Sequence, residues 1–188
     1  MARLKSFIFL VLVLYLVLGA FVDNHILNCK GPEIVASGVY AAKIKMARGL
    51  FTKSINFLEP EYDVKITQCY NAWADWTNTN KAKVIVSEPL VRDFSTEELA
   101  GELGHELAHL QAHAQKEYPE HWKIDVMGAE LTSKDIMLSK LNRMIREYDN
   151  LFEKNKLLMY VFPLSYLNYT RIRSEFVFRV DKVNNYFK

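Results

Sequence analysis

Hydrophobic and polar positions along the chain change period several times, and each change predicts an element. From Glu33 to about Leu58, EIVASGVYAAKIKMARGLFTKSINFL spaces its apolar residues at helical intervals and predicts one amphipathic helix, weakened at Gly49. Glu61 to Tyr70 (EYDVKITQCY) alternates as a strand does, and Lys83 to Ser87 (KVIVS) is a second, β-branched run. Asn71 to Lys81 (NAWADWTNTNK), between them, reads as a polar, aromatic connection. Ser95-Thr96-Glu97-Glu98 has the form of a capping box, so a helix is expected to start at Thr96. Its stripe of Leu99, Leu103, Leu107 and Leu110 steps by three and four residues. Tyr118-Pro119 ends that helix and opens the next, since proline is tolerated in a first turn and not in a helix interior. A further helix is expected from Ser133 to about Leu158, whereas the aromatic, basic tail SYLNYTRIRSEFVFRVDKVNNYF fits either helix or strand. The order of elements predicts an α+β fold, mainly helical with a small β-sheet.

The start of the chain differs from everything after it. Arg3 and Lys5 precede sixteen residues, Phe7 to Val22, without a single charge, and Asp23 follows. Such a run predicts one N-terminal hydrophobic helix acting as a signal peptide or membrane anchor. Basic residues before it keep the N-terminus in the cytoplasm and export the remainder to the periplasmic or extracellular side. The expected division is thus an appendage over residues 1–22 and one domain over 23–188, with its core in 60–145. At 188 residues the chain is long enough for one well-buried core. Its 24 basic and 22 acidic side chains include no dense basic stripe, which argues against nucleic acid as a partner. Cys29 and Cys69 both fall on the exported side, where an oxidising compartment would let them pair.

Four of the five histidines, His105, His109, His113 and His121, lie within seventeen residues. His105 and His109 are four apart and share a helix face away from the leucine stripe, so two imidazoles can converge on one metal ion. Glu106 sits beside the open coordination position. This HExxH spacing suits Zn2+, which polarises a carbonyl and acidifies water while the glutamate takes the proton. Gly101, Gly104 and Ala108 allow close packing around it. A catalytic zinc needs a third protein ligand. His113 lies about 12 Å along the helix axis from His105 and cannot join it at one ion. His121, presented after the Tyr118-Pro119 break, is the favoured third ligand, with Glu130 and Asp125 as alternatives. If His121 is the ligand, Asp125, one turn further on, can accept a hydrogen bond from a ligand imidazole.

The segments Asn71-Ala72-Trp73-Ala74, Val84-Ile85-Val86-Ser87, Glu97-Glu98-Leu99-Ala100 and Gly104-His105-Glu106-Leu107-Ala108-His109 together resemble the HtpX and CAAX-prenyl-protease type of zinc metalloendopeptidase, over roughly Asn71 to Leu141. In that family a glutamate ligand stands four residues before an aspartate. Here His121 stands four residues before Asp125, and the interval after His109 is shorter. The SprT-like and WLM-like groups of HExxH proteins use a third histidine soon after the motif. The resemblance implies a zincin-like catalytic domain of metzincin or gluzincin type that hydrolyses protein or peptide substrates, with Glu106 as general base. It also implies that the Lys83 to Ser87 strand is the edge along which an extended peptide lies. A second reading is a catalytically inactive, membrane-tethered zinc-binding protein with a binding or inhibitory role. Glu106 favours the first, because a structural zinc site has no use for it.

Overall fold

A computed structural model describes residues 30–53, 59–76, 82–161 and 163–188, together with Phe9, Val13, Tyr15 and Val17. Its elements run β1 (Glu33–Val35), α1 (Gly38–Arg48), β2 (Glu61–Lys65), β3 (Ala72–Asp75), β4 (Lys83–Ser87), α2 (Glu88–Asp93), α3 (Thr96–Ala114), α4 (His121–Leu131), α5 (Lys134–Val161) and α6 (Pro163–Tyr186). The architecture is α+β and mainly helical, with one four-stranded sheet in the order β1-β2-β4-β3. Strands β2 and β4 pair in parallel, and β1 and β3 flank them antiparallel.

Three expectations change. The helix read from Glu33 to Leu58 is, over the described residues, a short strand followed by a shorter helix ending at Arg48; residues 54–58 lie outside the described residues. Ser37 is extended and Gly38 has φ +54°, a left-handed conformation that suits glycine, so the backbone turns there while Glu33 to Val35 pair with Lys65 to Asp63. The stretch read as a connection contains β3, with Ala72 opposite Val86 and Ala74 opposite Val84. Most consequential, Lys83 to Ser87 is an interior strand, hydrogen-bonded on both sides, and the edge strands are β1 and β3, of which β3 pairs with it on the site's side. The tail, open from sequence, is helical, and α6 begins at Pro163, where the missing N–H costs nothing.

Helix α3 starts as its capping box predicts. The Glu98 N–H donates to Ser95 Oγ at 3.1 Å and the Ser95 N–H to the Glu98 carboxylate at 2.9 Å, a pairing worth about 1 kcal/mol. Leu99, Leu103, Leu107 and Leu110 are buried in a core shared with Val84 and Val86 of the sheet, Leu90 and Phe94, and Met137 and Leu141 of α5. Glycines set how closely the helices approach. A Cβ on Gly104 would stand 3.1 Å from the Gly128 carbonyl oxygen of α4, and one on Gly101 would stand 2.6 Å from Lys140 Cβ of α5. Helices α4 and α5 therefore lie against the backbone of α3 where the histidines emerge.

The run from Phe7 to Val22 lies outside the described residues apart from Phe9, Val13, Tyr15 and Val17, and among the described residues no helix is long and apolar enough to cross a membrane. Cys69 is disulfide-bonded, and Cys29 is the only other cysteine of the chain.

Candidate active site

His105 and His109 emerge from the middle of α3, on the face that the leucine stripe leaves free. Their Nε2 atoms are 3.1 Å apart, close to the separation of about 3.3 Å that two nitrogens adopt at tetrahedral zinc distances. His121, the first residue of α4, stands beside both, its ring centroid 5.8 Å from that of His105 and 5.4 Å from that of His109. Its side chain is 57% exposed and its Nδ1 lies 3.8 Å from a Glu175 carboxylate oxygen of α6. Three imidazoles thus cluster, although no group of three or more His, Cys, Asp or Glu side chains among the described residues is arranged as a finished metal site. The donor chemistry fits zinc: two nitrogens at a suitable spacing and a third imidazole at hand that a change of rotamer can turn inward.

His105 is oriented from behind. Its Nδ1 meets Asp125 Oδ1 at 2.7 Å, which leaves Nε2 pointing toward His109. Asp125 is fully buried and accepts two hydrogen bonds from Arg179 of α6, at 2.5 and 2.8 Å. Burial alone would raise the Asp125 carboxyl, but the bonds to Arg179 and His105 outweigh it and hold the group well below the usual carboxylate range. Lys140, also buried, stands 3.0 Å from Glu102 Oε2 and 3.9 Å from Asp125. The Glu102 contact is an ion pair whose angle makes no hydrogen bond to that oxygen. Burial lowers both histidines. His109 falls to about 4, helped by the neighbouring His121, and His105 is held well below its ordinary value, so both rings are neutral and free to donate lone pairs.

Glu106 is buried and its carboxyl is pushed up to about 8, first by burial and then by the Glu102 carboxylate, against the cations Lys140 and Arg179 and a backbone hydrogen bond from Ala74. Ala74 belongs to the edge strand β3, so the strand and the Glu106 carboxylate touch directly. A cleft of about 950 Å³ joins these groups. It is lined by β3 and the segment before it, by His105, Glu106, His109 and His121, and by Tyr148, Glu175 and Arg179 from α5 and α6.

Residues 42–169 match the model of Peptidase family M48. The chain belongs to peptidase family M48. It is therefore a peptide hydrolase of a metalloprotease family, one that is zinc-dependent in general. No curated protein and no solved structure matches the chain. Within this M48 peptidase the sequence-predicted residues His105, Glu106, His109, His121 and Asp125 come together. Glu130 does not: it takes a hydrogen bond from Tyr186 at 3.3 Å and lies 4.0 Å from Lys53. His113 sits on the rim, its ring 5.0 Å from Trp76 and 6.0 Å from Tyr118. Sequence reasoning missed Arg179, Glu175, Lys140, Glu102 and Tyr148. Glu102 stands on α3 itself, one turn before His105 and Glu106, whereas no local spacing relates the other four to the histidines and only the packing of α5 and α6 on α3 and α4 brings them in. Glu175 and Arg179 lie beyond the residues that match the family.

Proposed function

We propose that this M48 peptidase is a zinc-dependent endopeptidase in which His105, His109 and His121 hold the metal and Glu106 is the general base. The observation that carries the reading is the pairing of two neutral, mutually facing imidazoles with a buried carboxylate at the foot of an edge strand. Zinc held there would polarise the scissile carbonyl and acidify water. Glu106 accepts the proton from the attacking water and hands it to the leaving amine. The Glu106 carboxyl would be lowered from about 8 by a metal ion held by the histidines, toward the ionised form that a base requires. Asp125 holds His105 in the tautomer that presents Nε2, and Arg179 holds Asp125. The backbone of β3 offers an extended peptide a free edge to pair with, which favours cleavage within polypeptide chains over attack on small molecules.

His121 in place of a glutamate four residues before Asp125 sets the chain apart from the HtpX and CAAX-prenyl-protease pattern it otherwise resembles. We place the catalytic domain on the exported side of a membrane, tethered through or released from the N-terminal apolar run. Glu106→Gln decides between hydrolysis and inert metal binding. The expected result is an unchanged zinc content by elemental analysis and loss of chelator-sensitive casein cleavage. Equal turnover by both proteins, once a contaminating protease is excluded, refutes the assignment of Glu106.

A further inference from the structure

The end of α5 and the start of α6 carry exposed apolar side chains that the peptidase reading does not use. From Leu157 to Thr170 the chain has no charged residue. Leu157 is 77% exposed, Tyr160 61% and Leu167 60%, with Val161 and Tyr166 also open to solvent. Met159 beside them is buried, and the half-open rings of Tyr160 and Tyr166 join those of Phe152 and Tyr169 in a chain of contacts from 4.5 to 6.0 Å. The exposed side chains are thus held outward by a built tip. A contiguous apolar surface maintained this way marks a contact site.

Two further observations say what it contacts. Lys154, Lys156 and Arg171 flank the uncharged stretch; Lys156 pairs with Glu153 at 3.2 Å, while among the described residues Lys154 and Arg171 have no acidic partner. The Tyr15 hydroxyl, from the uncharged N-terminal run, donates to the Val161 carbonyl. Exposed Leu157, Val161 and Leu167, with Tyr160 and Tyr166 among them and the unpaired cations Lys154 and Arg171 nearby, suit the interface of a bilayer, where apolar and tyrosine side chains meet acyl chains and cations meet anionic headgroups. A second copy of the chain fits less well, because a two-fold contact would set the same unpaired cations against each other.

We propose that the α5–α6 tip docks on a lipid bilayer bearing anionic headgroups, with Leu157, Tyr160, Val161 and Leu167 in the interfacial layer. Leu151 and Lys154, at the base of the tip, line the cleft. Docking there holds the cleft at the bilayer surface and selects polypeptide segments that run close to it.

The test uses the full chain with Leu167→Cys carrying an environment-sensitive fluorophore, on vesicles of phosphatidylcholine mixed with phosphatidylglycerol. Leu157→Cys serves as a second site, so that one disruptive substitution does not decide the result. Val39→Cys, on exposed α1, is the reference. Docking predicts a blue-shifted emission at both tip positions that appears only with vesicles and is quenched by lipids carrying a headgroup-level nitroxide, while Val39 keeps its aqueous emission. Aqueous emission at the tip on vesicle-bound protein overturns the proposal. So does a blue shift already present without lipid, which would mean that a second copy or the chain's own N-terminal run covers the tip. Neither readout involves turnover, so the outcome is independent of the peptidase assignment.

Discussion

Arg179 grips Asp125 through two hydrogen bonds of 2.5 and 2.8 Å, 54 residues away in the chain and with both side chains buried. That bidentate pair joins the last helix to the one presenting His121, and through Asp125 to His105. Removing one partner strands the other charge without water, which typically costs about 3–5 kcal/mol. Arg179→Met is expected to lower the urea midpoint by a corresponding amount. Asp125→Asn keeps the shape and is expected to weaken zinc binding roughly ten- to a hundredfold in a chelator competition. Unchanged zinc affinity in Asp125→Asn would remove Asp125 from the metal site.

The third ligand is the next point to test. His121→Ala is expected to cost far more zinc affinity than His113→Ala, because His113 sits at the rim between Trp76 and Tyr118 while His121 stands beside both other imidazoles. His121→Glu is expected to restore part of the binding, since zinc accepts carboxylate oxygen at nearly the same distance. Full zinc in His121→Ala together with loss in Glu130→Ala would move the ligand to Glu130, against its present contacts with Tyr186 and Lys53.

Much of this site is written in local spacing. The capping box at Ser95, the leucine stripe and the four-residue step from His105 to His109 are decided within one helix, where i, i+3 and i+4 geometry is fixed by the backbone. The break at Pro119 likewise announces α4. What spacing does not carry is set by pairing and packing over long separations. β1 is three residues long and carries apolar residues that also fit the helix after it, so only its register with β2 reveals it. β3 lies in a stretch whose Asn, Asp and Thr residues look like loop, and it is a strand because β4 offers it an edge. Arg179 is one of several basic residues in the tail, and nothing near it in the chain marks it as the one that reaches Asp125.

Close helix approach at the site makes a further prediction. A Cβ on Gly128 would fall 2.6 Å from Met137 Cε and 2.9 Å from the Gly104 carbonyl carbon. Methionine can swing aside, but backbone cannot, so α4 would have to move away from α3. Gly128→Val is expected to destabilise the fold by roughly 1–3 kcal/mol and to reduce zinc affinity as well, since displacing α4 carries His121 and Asp125 with it. Urea unfolding and zinc titration on the same preparation check both. A destabilised variant with undiminished zinc affinity would separate the helix packing from the site.

Ionisation of the site makes the stability of the metal-free protein depend on pH in a defined way. His105 and His109 are held neutral in the fold, His109 down to about 4, against the ordinary histidine value of 6.5. Below pH 6.5 the unfolded chain therefore binds protons that the fold refuses, and stability falls as pH drops. Glu106 acts in the opposite sense. Its folded value of about 8 lies above the ordinary glutamate value of 4.5, so its contribution is complete below pH 4.5 and is lost as pH rises through 8. Two histidines outweigh one glutamate between pH 4.5 and 6.5, and above 6.5 only the glutamate remains of the three. Stability of the chelated protein is expected to peak near pH 6.5 and to lose about 2 kcal/mol by pH 8. Glu106→Gln, which has no carboxylate to ionise, is expected to flatten the alkaline limb and leave the acid limb in place. Urea midpoints across pH 5 to 8 on both proteins measure this directly, and an alkaline limb that survives in Glu106→Gln would show that the buried carboxylate is not its source.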